Sequence, residues 1–118
     1  DNLKLFDAEY RFMCVLWEHE PINSTELVRL CFDRFEWKKS TTYSMIKRLG
    51  ERGVLKNEKA IVVALVKKED VQKYESEVVL EKTFDNSLPV FLTAFLRGKK
   101  LSKSEAEKLK KMIEEATK

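Results

Sequence analysis

Few side chains in this sequence could act as acid, base, nucleophile or metal ligand, and those few are dispersed. His19 is the single histidine; it sits between Glu18 and Glu20 where a helical pattern ends, the setting of a solvated helix terminus. Cys14 and Cys31 are too far apart for a Cys-x-x-Cys metal or redox site. Both fall within apolar helical patterns, where a reduced core thiol is expected rather than a redox switch. No Ser-His-Asp set, phosphate-cradling glycine loop or cluster of zinc ligands can be read, and three glycines leave little room for such a loop. Neither catalysis nor a cofactor nor a metal site is expected. What stands out is "WKKSTTYSMIKRLGERG", residues 37 to 53, which mixes small hydroxyls with positive charge. That chemistry suits the binding of phosphate oxygens and polar edges, not bond making.

The charge distribution sharpens this. The whole chain of 118 residues carries only +3, but the window from Lys38 to Lys68 holds nine Lys or Arg against Glu51 and Glu58. That window is +7, so the remainder sums to −4. A basic stretch inside a nearly balanced protein is a directed field rather than a solubility device. The length fits one ordinary domain, or a small domain with an assembly arm. No apolar run of about 18 residues and no signal-peptide pattern is present, so a cytoplasmic protein without membrane contact is expected. The chain opens on Asp1 rather than a methionine, which leaves room for a trimmed upstream segment.

The elements that position the basic window follow from periodicity. A first helix is expected from Asp7 as N-cap through "AEYRFMCVLWEHE", with Ala8, Phe12, Val15 and Leu16 inward and Trp17 beside them. After Pro21, "INSTEL" starts a second helix with Asn23 as cap, Glu26 closing a capping box, and Ile22 with Leu27 as a hydrophobic staple. Leu30 and Cys31 continue that face. The third helix runs to Gly53, a residue suited to a left-handed C-terminal cap. Its Thr42, Met45, Ile46 and Leu49 follow the i, i+3, i+4, i+7 pattern and face the core. Ser40, Ser44, Lys47 and Glu51 point the other way, flanked by Tyr43 and Arg48. "VLK" and "IVVALV" read as two strands joined by the turn "NEKA". Three helices and then a hairpin is the order of a winged helix-turn-helix, placed at residues 1–67.

Residues 68–118 change character. "EDVQKYESEVVLEKTF" is a charged helix with a narrow apolar seam through Val71, Tyr74 and Val78. "DNSLPVFLTAFLRG" follows, with Ser87 as cap, Pro89 in the first turn and Gly98 as stop. Leu88, Phe91, Leu92, Phe95 and Leu96 make it too apolar for a free surface helix. The last helix opens with Ser102 and Glu105 as a capping box and carries Leu109, Met112 and Ile113 on one stripe. These helices need another surface to cover them, and a second copy of the chain is the economical one. The expected architecture is therefore mainly α with a small β-hairpin, a winged helix followed by a three-helix dimerisation arm.

Three features turn the basic face toward duplex DNA rather than plain solvation. The outward residues at the start of the third helix are short enough for the backbone to approach base edges in a major groove about 12 Å wide. Lys56 and Lys59 fall on the hairpin, where a wing meets the adjacent backbone, and Lys38 and Lys39 open the helix. The "NST" start of the second helix offers Ser24 and Thr25 to a phosphate oxygen.

These same stretches carry a resemblance. "LFDAEYRFMCVLWEHEPINSTELV" resembles a family pattern in which an acidic "x-AE" start leads into a "VLW" helix. The segment from Trp37, "W-x-x-S-T-T-Y-S-M-I-K-R-L-G-E-R-G-V-L", is similar to its "W-x-x-s-T-v-x-T-L-l-x-R-L-x-x-K-G-x-L" signature, and "TFDNSLPVFLTAFL" to its "F-x-G-S-L-x-x-L-x-x-x-F" segment. The family is that of the BlaI/MecI/CopY repressors, and the likeness spans nearly the whole chain. It implies a bacterial homodimeric repressor that binds a two-fold-symmetric operator through winged helices and pairs through C-terminal helices. By position in the signature, Ser40, Thr41, Tyr43 and Ser44 would read bases, with Lys47 and Arg48 beside them on the backbone. Tyr43 stands where the family often has Lys or Arg, which implies a different base preference. Lys38 and Lys39 replace a frequent Ser-Pro, and the turn lacks the usual Gly-Arg-aromatic wing sequence. Some members are cut by a sensor protease at an Asn-Phe bond, and others end in paired cysteines; neither feature occurs here, so no protease partner and no inducer is implied. The rival reading is a winged-helix adaptor whose basic face docks an acidic protein, and a ligand-gated sensor would need a pocket that sequence does not reveal.

Overall fold

The computed structural model describes residues 2–118. Its elements are α1 (Asp7–His19), β1 (Ile22–Asn23), α2 (Ser24–Phe35), α3 (Lys39–Glu51), β2 (Leu55–Glu58), β3 (Ile61–Ala64), α4 (Lys68–Thr83), α5 (Leu88–Leu96) and α6 (Lys103–Ala116). The three strands form one antiparallel sheet in the order β1-β3-β2. The fold is thus mainly helical with a small sheet. The chain divides into two compact units, the first ending at Val78 and the second starting at Val79. Among the described residues no helix is long and apolar enough to cross a membrane.

The first unit is built on the stripes that the sequence sets out. Phe12, Val15 and Leu16 of α1, Leu27 and Cys31 of α2, and Met45, Ile46 and Leu49 of α3 are all buried in one core with Val54, Leu55 and Val62 from the hairpin. Met13 joins them at 0% exposure, and Ala8 packs at the margin. Phe12 stacks on Trp37, their planes 9° apart, and Trp37 meets Phe35 at 5.0 Å, which fixes the link into α3. Trp17 stays half-buried because its indole N–H donates to the Val66 carbonyl at 3.0 Å.

Several local expectations are corrected. α1 is capped at Phe6, not Asp7: the Glu9 carboxylate reaches back to accept from the Phe6 amide at 2.9 Å, so the helix starts one residue earlier. Asn23 does cap α2, accepting from the Thr25 amide at 2.8 Å. Glu26 does not complete a capping box; it pairs with Arg29 on the exposed face. The backbone just before α2 is instead held by the sheet, with Ile22 opposite Val62, Asn23 opposite Ile61, and the Ser24 amide donating to the Ala60 carbonyl at 2.8 Å. This third strand is two residues long, too short for an alternation pattern to announce it. The hairpin strands also differ: β2 runs on through Glu58 and β3 ends at Ala64, so the turn contracts to Lys59 and Ala60, with φ of 52° and 67°. Two left-handed residues are what a two-residue hairpin requires to match strand twist.

The α3 terminus is as the sequence proposes. Gly53 has φ 75°, its amide donates to the Gly50 carbonyl at 3.2 Å, and Val54 donates to Leu49 at 2.9 Å. This is the Schellman arrangement, with Val54 and Leu49 both fully buried beneath it.

In the second unit, Ser87 caps α5 by accepting from the Val90 amide at 3.2 Å, and Ser102 caps α6 through the Glu105 amide at 3.1 Å. Phe84 meets Phe91 edge-on at 5.1 Å, and Phe91 stacks near Phe95 at 5.8 Å. Yet neither α5 nor α6 contains a buried residue.

Candidate nucleic-acid interface

α3 is held by its inward stripe, which leaves a defined outer face. Ser40, Thr41, Ser44, Lys47 and Arg48 are exposed there, and Tyr43 is half-buried at its edge. Lys38 caps the helix through its backbone alone, without a side-chain hydrogen bond, so the first-turn amides and the positive end of the helix dipole face outward beside Lys39.

The cations of the window are not equivalent. Among the described residues Lys38, Lys39, Lys47 and Lys59 enter no ion pair, so their charge is available. Lys39 lies over the Tyr43 ring, its Nζ 5.9 Å from the centroid. Lys59 is at the hairpin tip, while Lys56 is partly neutralised by Glu58 at 2.7 Å along the same strand.

Arg48 and Arg52 converge on a single carboxylate. Arg48 Nε lies 3.1 Å from Glu9 Oε2 and Arg52 Nη1 lies 3.0 Å from Oε1. Burial pushes the Glu9 carboxyl up, but the Phe6 amide and the two guanidinium groups together pull it below the usual carboxylate range. Arg52 also donates to the Lys4 carbonyl. Arg48 nevertheless remains 56% exposed.

Ser24, Thr25 and Tyr43 form a second cluster, where the start of α2 meets α3. Hydrogen bonds from the Ser24 and Thr25 side chains hold the Tyr43 phenol below its usual range, with Lys39 adding to the effect. Ser24 is only 5% exposed and its amide is used by Ala60, so it is inside the fold rather than at the surface. Thr25 stays exposed.

Two clefts flank the outer face of α3. A shallow one of about 230 Å³ is lined by Ser40, Thr41, Ser44, Met45 and Arg48. A larger one of about 630 Å³ separates α3 from the hairpin, with Tyr43 and Lys47 on one wall and Lys56 and Asn57 on the other. The sequence pattern places the hydroxyl and lysine residues correctly on this face. It misses Glu9 and the tie of Arg52 to it. The available signal was spacing: Glu9 precedes Phe12, Met13 and Leu16 on the same stripe, and an acid on a core stripe demands a cationic partner.

The residues expected to pair two chains are distributed as follows. Val78 is half-buried at the end of the first unit. In the second, Leu88, Phe95, Met112 and Ile113 are at least half exposed, Leu109 is 36% exposed, and Phe91, Leu92 and Leu96 are partly covered.

Comparison with known proteins agrees with this geometry. The penicillinase repressor family matches residues 5–115. The penicillinase repressor of Bacillus licheniformis is 26% identical over 116 residues, covering 95% of this chain and 91% of that protein. The solution structure of the DNA-binding domain of the repressor BlaI matches with a TM-score of 0.55 at 26% identity, over 59% of this chain and 90% of that one. The Bacillus licheniformis BlaI monomeric form in complex with the blaP half-operator matches with a TM-score of 0.50 at 27% identity, over 57% of this chain and 87% of that one. The family match runs from before α1 into α6, through both compact units and all three motif blocks, and so the chain belongs to the penicillinase repressor family.

Proposed function

We propose that this chain is a transcriptional repressor that binds duplex DNA as a homodimer on a two-fold-symmetric operator. The observation that carries the reading is the outer face of α3, where Ser40, Thr41 and Ser44 stand among Lys38, Lys39 and Lys47, which have no ion-pair partner among the described residues. In this reading α3 enters the major groove with the hydroxyl residues and Tyr43 toward base edges. Lys38, Lys39, Lys47, Arg48 and Thr25 bind phosphates, with Lys59 and Lys56 following the backbone from the hairpin. The likeness to a BlaI structure bound to a half-operator supports one winged helix per half-site. The exposed apolar side chains of α5 and α6 support pairing, since a lone surface rarely leaves such a stripe open. Residues 1–67 would then serve recognition and 68–118 assembly.

Selection from a random duplex library tests this. The expected result is a palindromic consensus, bound with an affinity that falls steeply with salt. Failure to enrich any sequence, or a consensus without symmetry, contradicts the repressor or the dimer respectively.

A further inference from the structure

We propose that Glu9 is a positioning residue for the duplex-facing edge of α3: its buried carboxylate grips Arg48 by Nε and fixes the outer guanidinium edge beside Ser40 and Ser44 as a preset phosphate clamp. The proposal rests on the DNA-binding reading above and deepens it. Glu9 is 2% exposed on the core stripe of α1, where an ionised carboxylate survives only with close partners. It has three: the Phe6 amide at 2.9 Å, Arg48 Nε at 3.1 Å and Arg52 Nη1 at 3.0 Å.

The grip on Arg48 leaves its working end outside. The bond to Glu9 uses Nε, Nη2 rests 3.3 Å from Met45 Sδ, and the side chain is still 56% exposed. Arg48 also lines the same shallow cleft as Ser40, Thr41 and Ser44. A guanidinium has five donors in a rigid fork, so one edge can be anchored from behind while the other meets a phosphate. An arginine already fixed this way loses little rotamer freedom on binding. A lysine carries its three donors on one nitrogen, so once drawn to Glu9 it has no second nitrogen held outward as the planar guanidinium fork has. The first helix thereby sets the geometry of the third without touching the duplex.

The test uses the duplex that the wild-type protein selects from a random library, with affinities and thermal melts for Arg48→Lys, Arg48→Ala, Glu9→Gln and the Glu9→Gln/Arg48→Ala pair. Arg48→Lys is expected to bind as weakly as Arg48→Ala, both roughly tenfold below wild type at one salt concentration. Glu9→Gln is expected to weaken binding alone and to add nothing when Arg48 is already alanine. Arg48→Lys binding like wild type overturns the proposal, because charge alone then suffices. A Glu9→Gln loss of equal size in both backgrounds also overturns it, because the role is then only structural. Arg52 and the Phe6 amide still hold the Glu9 carboxylate when Arg48 is replaced, so the two Arg48 variants are expected to fold, as their melts check. Arg48→Lys can therefore overturn the proposal even where Glu9→Gln does not fold. A wild type that selects no duplex removes the DNA reading and this proposal with it; tight wild-type binding with an equal Arg48→Lys removes this proposal alone.

Discussion

Among the described residues Lys47, in the middle of α3, has no acidic partner, so its expected part is to neutralise one phosphate. Lys47→Ala should then weaken binding to operator and scrambled duplex by a similar factor and lower the salt slope by about 1, as titrations at several salt concentrations would report. Thr42 sits on the opposite face with its hydroxyl fully buried beside the Cys31 thiol, too weak a partner to satisfy it. Thr42→Val keeps the shape and removes the unsatisfied group, so the melting temperature should hold or rise, by up to ~1 kcal/mol of stability. Glu9 gives a pH dependence. Its carboxyl titrates lower in the folded chain than in the unfolded one, so its contribution is complete above the ordinary glutamate value and is lost as acid protonates it. Stability should fall as pH drops below about 4.3, and Glu9→Gln should flatten that part of the acid limb. The exposed side of α3 was legible because helical period alone separates Ser40, Ser44 and Lys47 from the buried Met45 and Leu49. The burial of Ser24 was not, because it follows from a strand pairing and a phenol contact distant in sequence.

Helix ends were the most legible elements, wherever a side chain or glycine closes them locally. Asn23, Ser87, Ser102 and Gly53 all act where their types suggest. The failures are of two kinds: Phe6 caps α1 with no polar side chain of its own, through the Glu9 carboxylate three residues on, and β1 exists only because the distant β3 lies beside it. Two glycine exchanges separate these backbone effects. A Cβ added at Gly53 would meet nothing within 4 Å, yet its φ of 75° strains any L residue. Gly53→Ala should therefore destabilise by about 1–2 kcal/mol through conformation alone. Ala60 holds φ 67° in the hairpin turn, where glycine is preferred, so Ala60→Gly should leave stability unchanged or raise it by up to ~1 kcal/mol. Denaturant melts, with Gly53→Ala shifted down and Ala60→Gly unshifted or shifted up, would check both.

Across the whole molecule charge is unevenly placed, and both α5 and α6 leave apolar side chains exposed. The basic window occupies α3 and the hairpin, while the largest exposed apolar side chains of α5 and α6 belong to the second compact unit. Ile113, 55% exposed on the α6 stripe, is a test of pairing: Ile113→Glu should shift the chain toward monomer in sedimentation and weaken operator binding without lowering the affinity of a single winged helix for a half-site. The claim on which the rest depends is that the outer face of α3 lies against duplex DNA. An amide chemical-shift map of the protein titrated with its selected duplex measures this directly. The largest shifts should fall on Ser40, Thr41, Ser44 and Lys47, with smaller ones at the Lys59 turn. Shifts confined to other surfaces, with α3 unmoved at saturation, would contradict it.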